Sequence, residues 1–142
     1  MGFLDQFRDR PTGGPVQAEA ILFHDDDCTE IVAAVGEASY QSALIAICGS
    51  KRWERVAFDC IAALVPEPNN PHDPNAIAVQ VEGRLVGYLS RADARAYRRL
   101  VDDAKPQLIA CRARIAGREE GSETPNLGIF LRLPPSTETI ER

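Results

Sequence analysis

No apolar run in the sequence approaches the roughly 20 residues that a membrane-crossing helix needs. The opening MGFLDQFRDR lacks the basic stretch followed by an apolar one that marks a signal peptide. A cytoplasmic protein is therefore the expectation. The four cysteines, Cys28, Cys48, Cys60 and Cys111, stand 20, 12 and 51 residues apart, with no CxxC or CxH pair. Zinc sites draw their ligands in close pairs, so this spacing argues against a zinc finger or ribbon. Cys48, Cys60 and Cys111 lie in apolar runs and read as buried free thiols, since cysteine packs as a small core hydrophobe. Disulfides are not expected in a reducing compartment.

Catalytic signatures are equally scarce. There is no GxSxG, no phosphate-loop glycine-lysine pattern and no GxGxxG. Only two histidines are present, His24 and His72, and neither has a cysteine or serine partner in a recognisable motif. His72-Asp73 reads as a loop pair, not as a general base with its orienting acid. Asp25-Asp26-Asp27 lacks the spaced ligands and glycine of a calcium loop and reads as a solvated acidic patch. The expectation is a binding protein and not an enzyme, with no catalytic residues, no metal and no cofactor.

What is present is an ordinary globular composition, 44% hydrophobic and 26% charged over 142 residues, enough for one domain with a real core. The net charge of −5 is unevenly placed. Residues 1–30 carry seven acids against two bases, so they account for all of it. Residues 84–118 carry nine bases against three acids. That basic half is where an anionic partner would be sought.

Taken in order, residues 1–29 read as a flexible acidic tail, broken by RPTGGP, with Ala18–Phe23 able to add an edge strand. Residues 30–134 form the domain and 135–142 a short polar tail. Ile31–Gly36 reads as the first strand of the domain. A short helix follows over Tyr40–Cys48, capped by Ser39 and closed by Gly49. Val56–Val65 is a long apolar strand and reads as central. Ile77, Val79 and Val81 alternate with Ala76, Ala78 and Gln80, which predicts a strand with one buried face. Glu82-Gly83 is a hairpin turn, with Arg84–Leu89 as the returning strand. Ser90 with Asp93 makes a capping box for a second helix. Its buried stripe is Ala96, Tyr97, Leu100, Val101 and Ala104, with Arg91, Arg95, Arg98 and Arg99 off it. Leu108–Gly117 and Leu127–Leu133 are the last strands. The order β-α-β-β-β-α-β-β disfavours a doubly wound sheet. It predicts a mostly β fold with two short helices, a small, partly open antiparallel barrel of the OB kind.

The stiffest stretch is the loop Pro66–Asn75. Pro66, Pro68, Pro71 and Pro74 fix φ, and Asn69, Asn70, Asp73 and Asn75 can bond the local backbone. It continues as PNNPHDPNAIAV from Pro68 to Val79. Together with Val35-Gly36, Tyr40 and the later Val86-Gly87-Tyr88-Leu89, it resembles the HIRAN domain family over about residues 31–133. The resemblance implies a modified OB-like barrel that binds single-stranded DNA. In eukaryotic members it also implies capture of a free 3′ end beside a DNA-remodelling ATPase involved in fork reversal. In bacteria, similar domains occur alone or beside nucleases and helicases.

By resemblance, Tyr40 matches one of two tyrosines that hold the terminal nucleotides. His72 sits where an aromatic stacks, and Asp73 where a carboxylate receives the 3′-hydroxyl. Asn70 precedes them in the same loop, and Tyr88 and Arg91 sit near the phosphates. Arg95 and Arg98 extend the basic helix as phosphate contacts. Pro68, Pro71, Asn75, Ile77, Gly83 and Gly87 read as scaffold. The chain departs from the family at Ser39, where the first tyrosine of the pair would stand, at Ala38 in place of an arginine, and at His72 in place of tyrosine. A stacked ring is worth ~1–3 kcal/mol per base, so these changes weaken the site. The implied function is single-stranded DNA binding at a 3′-hydroxyl end in repair or fork processing, with a separate helicase or nuclease as partner. The rival is a protein-interaction adaptor that keeps the barrel and has lost end recognition.

Overall fold

The computed structural model describes residues 20–23, 25–49, 56–117 and 127–136. The strands are β1 (Ala20–Leu22), β2 (Glu30–Ala33), β3 (Val56–Pro66), β4 (Ile77–Val81), β5 (Arg84–Tyr88), β6 (Leu108–Gly117) and β7 (Leu127–Leu133). The helices are α1 (Gln41–Cys48), entered through a 3-10 turn at Glu37–Tyr40, and α2 (Arg91–Ala104). The expected antiparallel character holds. The sheet order is β2-β7-β6-β3-β4-β5, every neighbouring pair antiparallel, with β1 added parallel to the start of β6. The sheet is not closed by a full ladder. Its two edges touch at one bridge, where Val35 N–H donates to Tyr88 O at 2.7 Å and Tyr88 N–H to Val35 O at 3.0 Å.

Alternation builds the core. Ile109, Cys111, Ala113 and Ile115 of β6 and Leu127, Ile129, Leu131 and Leu133 of β7 point inward and are buried. Arg112, Arg114, Phe130 and Arg132 point outward. Leu64, Ile77, Val79, Val86 and Leu44 of α1 complete the interior. Each large aliphatic side chain so buried contributes ~1.5–3 kcal/mol relative to exposure. The helix α2 lays Ala94, Tyr97 and Val101 on this core, with Ala96, Leu100 and Ala104 packed beside them. Tyr97 Oη donates to Pro134 O at 2.7 Å, which satisfies its buried polar end.

β3 is central as expected, paired to β6 over Val56–Leu64 and to β4 over Ala63–Pro66. β4 differs from expectation. Ile77, Ala78, Val79 and Val81 are all buried, so both faces are covered and only Gln80 reaches partway to solvent. Small alanines at the alternate positions hid the second buried face. The Glu82-Gly83 turn has φ of 53° and 78°, the two positive values that a type I′ hairpin demands. Ser90 Oγ accepts from Asp93 N–H at 3.1 Å, the cap expected for α2. Gly49 closes α1 at φ 63° with its N–H on Ile45 O.

Ser39 does not cap α1. It lies exposed inside the 3-10 turn, and the helix begins at Gln41 with no side-chain cap. Gln41 supplies the docking instead. Its side-chain amide donates to Glu37 O at 3.0 Å and Leu127 O at 2.8 Å and accepts from Leu127 N–H at 2.9 Å. One side chain thus mimics a β-bridge and ties the turn to β7. Part of the segment read as a tail belongs to the sheet. Ala20–Leu22 pair with Leu108–Ala110, and Ala20 and Cys28 are buried. Residues 1–19 and His24 lie outside the described residues. At the other end Ser136 is buried, and residues 137–142 lie outside the described residues. Among the described residues no helix is long and apolar enough to cross a membrane.

Candidate nucleic-acid interface

The stiff loop leaves β3 at Pro66 and returns at Ile77. Glu67 N–H donates to Ala76 O at 2.9 Å and pins its base. Inside it, Asn70 N–H donates to Glu67 O and Ala76 N–H to Asp73 O, both at 3.0 Å. The side chains add a second layer. Asn70 Oδ1 accepts from the N–H of His72 at 2.8 Å and of Asp73 at 3.1 Å. Asp73 Oδ1 accepts from Asn75 N–H at 2.9 Å. These are the local Asx bonds that asparagine and aspartate offer a turn.

Glu67 connects the loop to the opposite strand. Its Oε1 accepts from Asn70 Nδ2 at 2.9 Å and from Tyr88 Oη at 3.0 Å. Burial, and then this bond to Glu67, pushes the Tyr88 phenol up to about 12, with smaller effects from the Glu67 charge and from Tyr40. Tyr88 therefore stays a neutral donor. Tyr40 ends the 3-10 turn that packs against β5, and it is half-buried. The same turn buries Glu37 Oε2, which has no hydrogen-bond partner among the described residues. Gly87 allows the close approach at this edge. A Cβ there would lie 3.1 Å from Val35 O and 3.2 Å from Ala34 Cβ.

The structure thus brings Tyr40, Glu67, Asn70 and Tyr88 together, with His72 and Asp73 on the same loop. His72 is exposed, and its backbone N–H is held while its ring makes no hydrogen bond among the described residues. Asp73 keeps Oδ2 without a partner among the described residues. The Asn70 amide is engaged by Glu67, His72 and Asp73, so it shapes the loop. Arg98 is likewise engaged. Its Nε bonds both oxygens of Asp102 at 3.1 Å and its Nη1 donates to Pro74 O at 3.3 Å, so it ties α2 to the loop. Burial would raise Asp102, but the hydrogen bonds from Lys105 and Arg98 outweigh it and hold its carboxyl below the usual range. Arg91 and Arg95 precede Arg98 by seven and three residues, on the same helix face. Both are exposed and make no hydrogen bond or ion pair among the described residues.

Glu67 was not anticipated from sequence. Its signal was only a carboxylate between two prolines, with its partner 21 residues away. The arrangement as a whole is rich in acceptors at the loop, with aromatic rings beside them and two arginines on the adjacent helix. It can accept a hydroxyl or amine at the loop, stack a base, and meet a phosphate at α2.

No curated protein matches the chain. A solved structure similar to it is the crystal structure of the HIRAN domain of human HLTF, at 19% identity over 79% of each chain and a TM-score of 0.42. The family model of the HIRAN domain matches residues 37–132, which run from the turn carrying Tyr40 through the loop, the hairpin and α2 to β7, and the chain belongs to the HIRAN domain family.

Proposed function

We propose that the protein is a single-stranded DNA-binding module that receives a free 3′-hydroxyl end. It acts by binding and not by catalysis, in the cytoplasm, alongside a separate helicase or nuclease in DNA repair or fork processing. The observation that carries the reading is the loop's bonding. Asn70 and Glu67 hold the loop backbone fixed and Glu67 ties it to Tyr88, while the His72 ring and Asp73 Oδ2 on the same loop make no hydrogen bond among the described residues. A carboxylate oxygen accepts from a terminal hydroxyl and repels a terminal phosphate. Membership of a family of DNA-binding domains supports the same reading. Tyr40 and His72 would stack the last bases, with Arg91 and Arg95 on the phosphates.

Fluorescence anisotropy on a short labelled strand tests this. The 3′-hydroxyl form is expected to bind more tightly than the 3′-phosphate form, with affinity falling as salt rises. Asp73→Ala should bring the two forms to equal affinity. Equal, negligible binding of both at low salt would overturn the DNA reading. An unchanged preference in Asp73→Ala would remove Asp73 from the site. The recovered strands are expected to be uncut.

A further inference from the structure

The outer face of the sheet carries a feature that the loop site does not use. Phe130 is 39% exposed at the middle of β7, beside Ile31 at 72% and Val35 at 43%. The ladders place its neighbours. Across one side is Ala33, and across the other Arg114, whose own partner on β3 is Asp59. Two residues along β7 is Arg132, paired with Ile31 on β2, and two residues along β6 from Arg114 is Arg112, paired with Ile61 on β3. The ring of Phe130 leans over Gly128, since a Cβ on that glycine would meet its Cζ at 3.5 Å and Cε2 at 3.6 Å. Gly128, Ala33 and Ala116 leave the ring standing above a floor of small residues.

Among the described residues, the outward positions of β3, β6 and β7 place Arg112, Arg114 and Arg132 against one acid, Asp59. Arg114 Nε bonds Asp59 Oδ1 at 2.8 Å, and Arg132 Nη2 donates to Cys28 O at 3.4 Å. An exposed ring among arginines on an open sheet is what a single strand needs: a π-face for a base and cations for the backbone. An apolar protein partner would not call for three arginines around its anchor.

We propose that Phe130 is a stacking platform for single-stranded nucleic acid, with Arg112, Arg114 and Arg132 along the phosphates. It is a second contact surface, independent of any strand end, and it rests on the nucleic-acid reading above. β2 joins it to the loop site, since Ala33 neighbours Phe130 and Val35 bridges to Tyr88. Strand spacings of ~4.8 Å and a rise of ~3.3 Å per residue put that path on the order of 15 Å.

A small circular single strand, which has no end, tests the platform separately from the loop site. The wild-type protein is expected to bind the circle at low salt. Phe130→Ala and Phe130→Leu should each weaken that binding by about tenfold, while Phe130→Trp retains it. Phe130→Leu keeps apolar bulk on the strand, so its loss reports stacking and not folding. The preference of linear strands for a 3′-hydroxyl over a 3′-phosphate should persist in Phe130→Leu. A wild-type protein that binds linear 3′-hydroxyl strands but not the circle would overturn the platform and leave the end site standing. Wild-type affinity of Phe130→Leu for the circle would also overturn it and give the face to a protein partner.

Discussion

One carboxylate ties the loop to the opposite strand. Glu67 Oε1 accepts from Asn70 on its own loop and from Tyr88 on β5. Hydrogen bonds to a charged group are worth ~1.5–3 kcal/mol, and partial exposure here favours the lower end. Glu67→Ala is expected to lower the melting temperature by about 3–8 °C. Tyr88→Phe should cost less alone, and the double variant should fall short of the sum, because both remove the same bond. Additive losses in thermal melts would show that the bond contributes nothing. Glu67→Gln should draw the Tyr88 phenol down from about 12 toward, but not to, its ordinary value, since burial remains as the larger cause. An ultraviolet titration of tyrosine ionisation reads this directly. At this scale the sequence named Tyr40, Asn70, His72, Asp73 and Tyr88, and all lie on the loop or on the elements beside it. It could not show that the side chains of Asn70 and Asp73 both bond the loop backbone while the His72 ring is left exposed. That distinction depends on where each side-chain hydrogen bond ends. For Arg98 the deciding partner is Pro74, 24 residues away.

Elements were legible where their signals are local. The Glu82-Gly83 turn, the Ser90 cap and the Gly49 stop each depend on residues within four positions, and each forms as read. The pairings that give the sheet its shape are not local. Nothing in Ala20–Leu22 specifies a parallel partner on β6, and Ser39 resembles a cap until Gln41 is seen to bond Leu127, 86 residues on. Closure of the edges at Val35 and Tyr88 likewise depends on Gly87, which from sequence is simply a glycine in a strand. A methyl there would press on the backbone of Val35 and on Ala34, neither the end of a flexible chain. Gly87→Ala is therefore expected to destabilise by about 1–3 kcal/mol, as overpacking does. Hydrogen exchange should quicken at the amides of Val35 and Tyr88 more than in the β3–β6 ladder. Unaltered exchange at those two amides would mean that the edge relaxes without opening. Because Tyr88 borders the loop site, the same variant should also weaken strand binding.

For the molecule as a whole, the barrel interior sets the alkaline limit. Desolvation pushes the Cys111 and Cys60 thiols and the Tyr97 phenol up to about 12, and burial with the Glu67 bond does the same for Tyr88. In each case the folded state holds the proton more tightly than the unfolded chain, whose thiols and phenols ionise near their ordinary values of 9.0 and 10.0. The stability these groups contribute is thus fully present below about pH 9. It is lost as pH rises from there toward the folded value of about 12. For Cys111, fully buried, the slope approaches ~1.4 kcal/mol per pH unit within that window. Asp59 and Asp102 act at the other end. Their carboxyls are held below the ordinary value, so what they contribute is present above about pH 4 and fades as pH falls further. Both are exposed, so the acid effect should be small and reduced by salt. Melting temperature is accordingly expected to stay nearly level across the neutral range and to fall steeply above pH 9. Replacing Cys111 with alanine should flatten the alkaline limb while lowering the neutral plateau through the cavity it leaves. An alkaline limb that keeps its slope in Cys111→Ala would show that the thiol opens to solvent before the barrel does, and that β6 is looser there than its pairing with β3 implies.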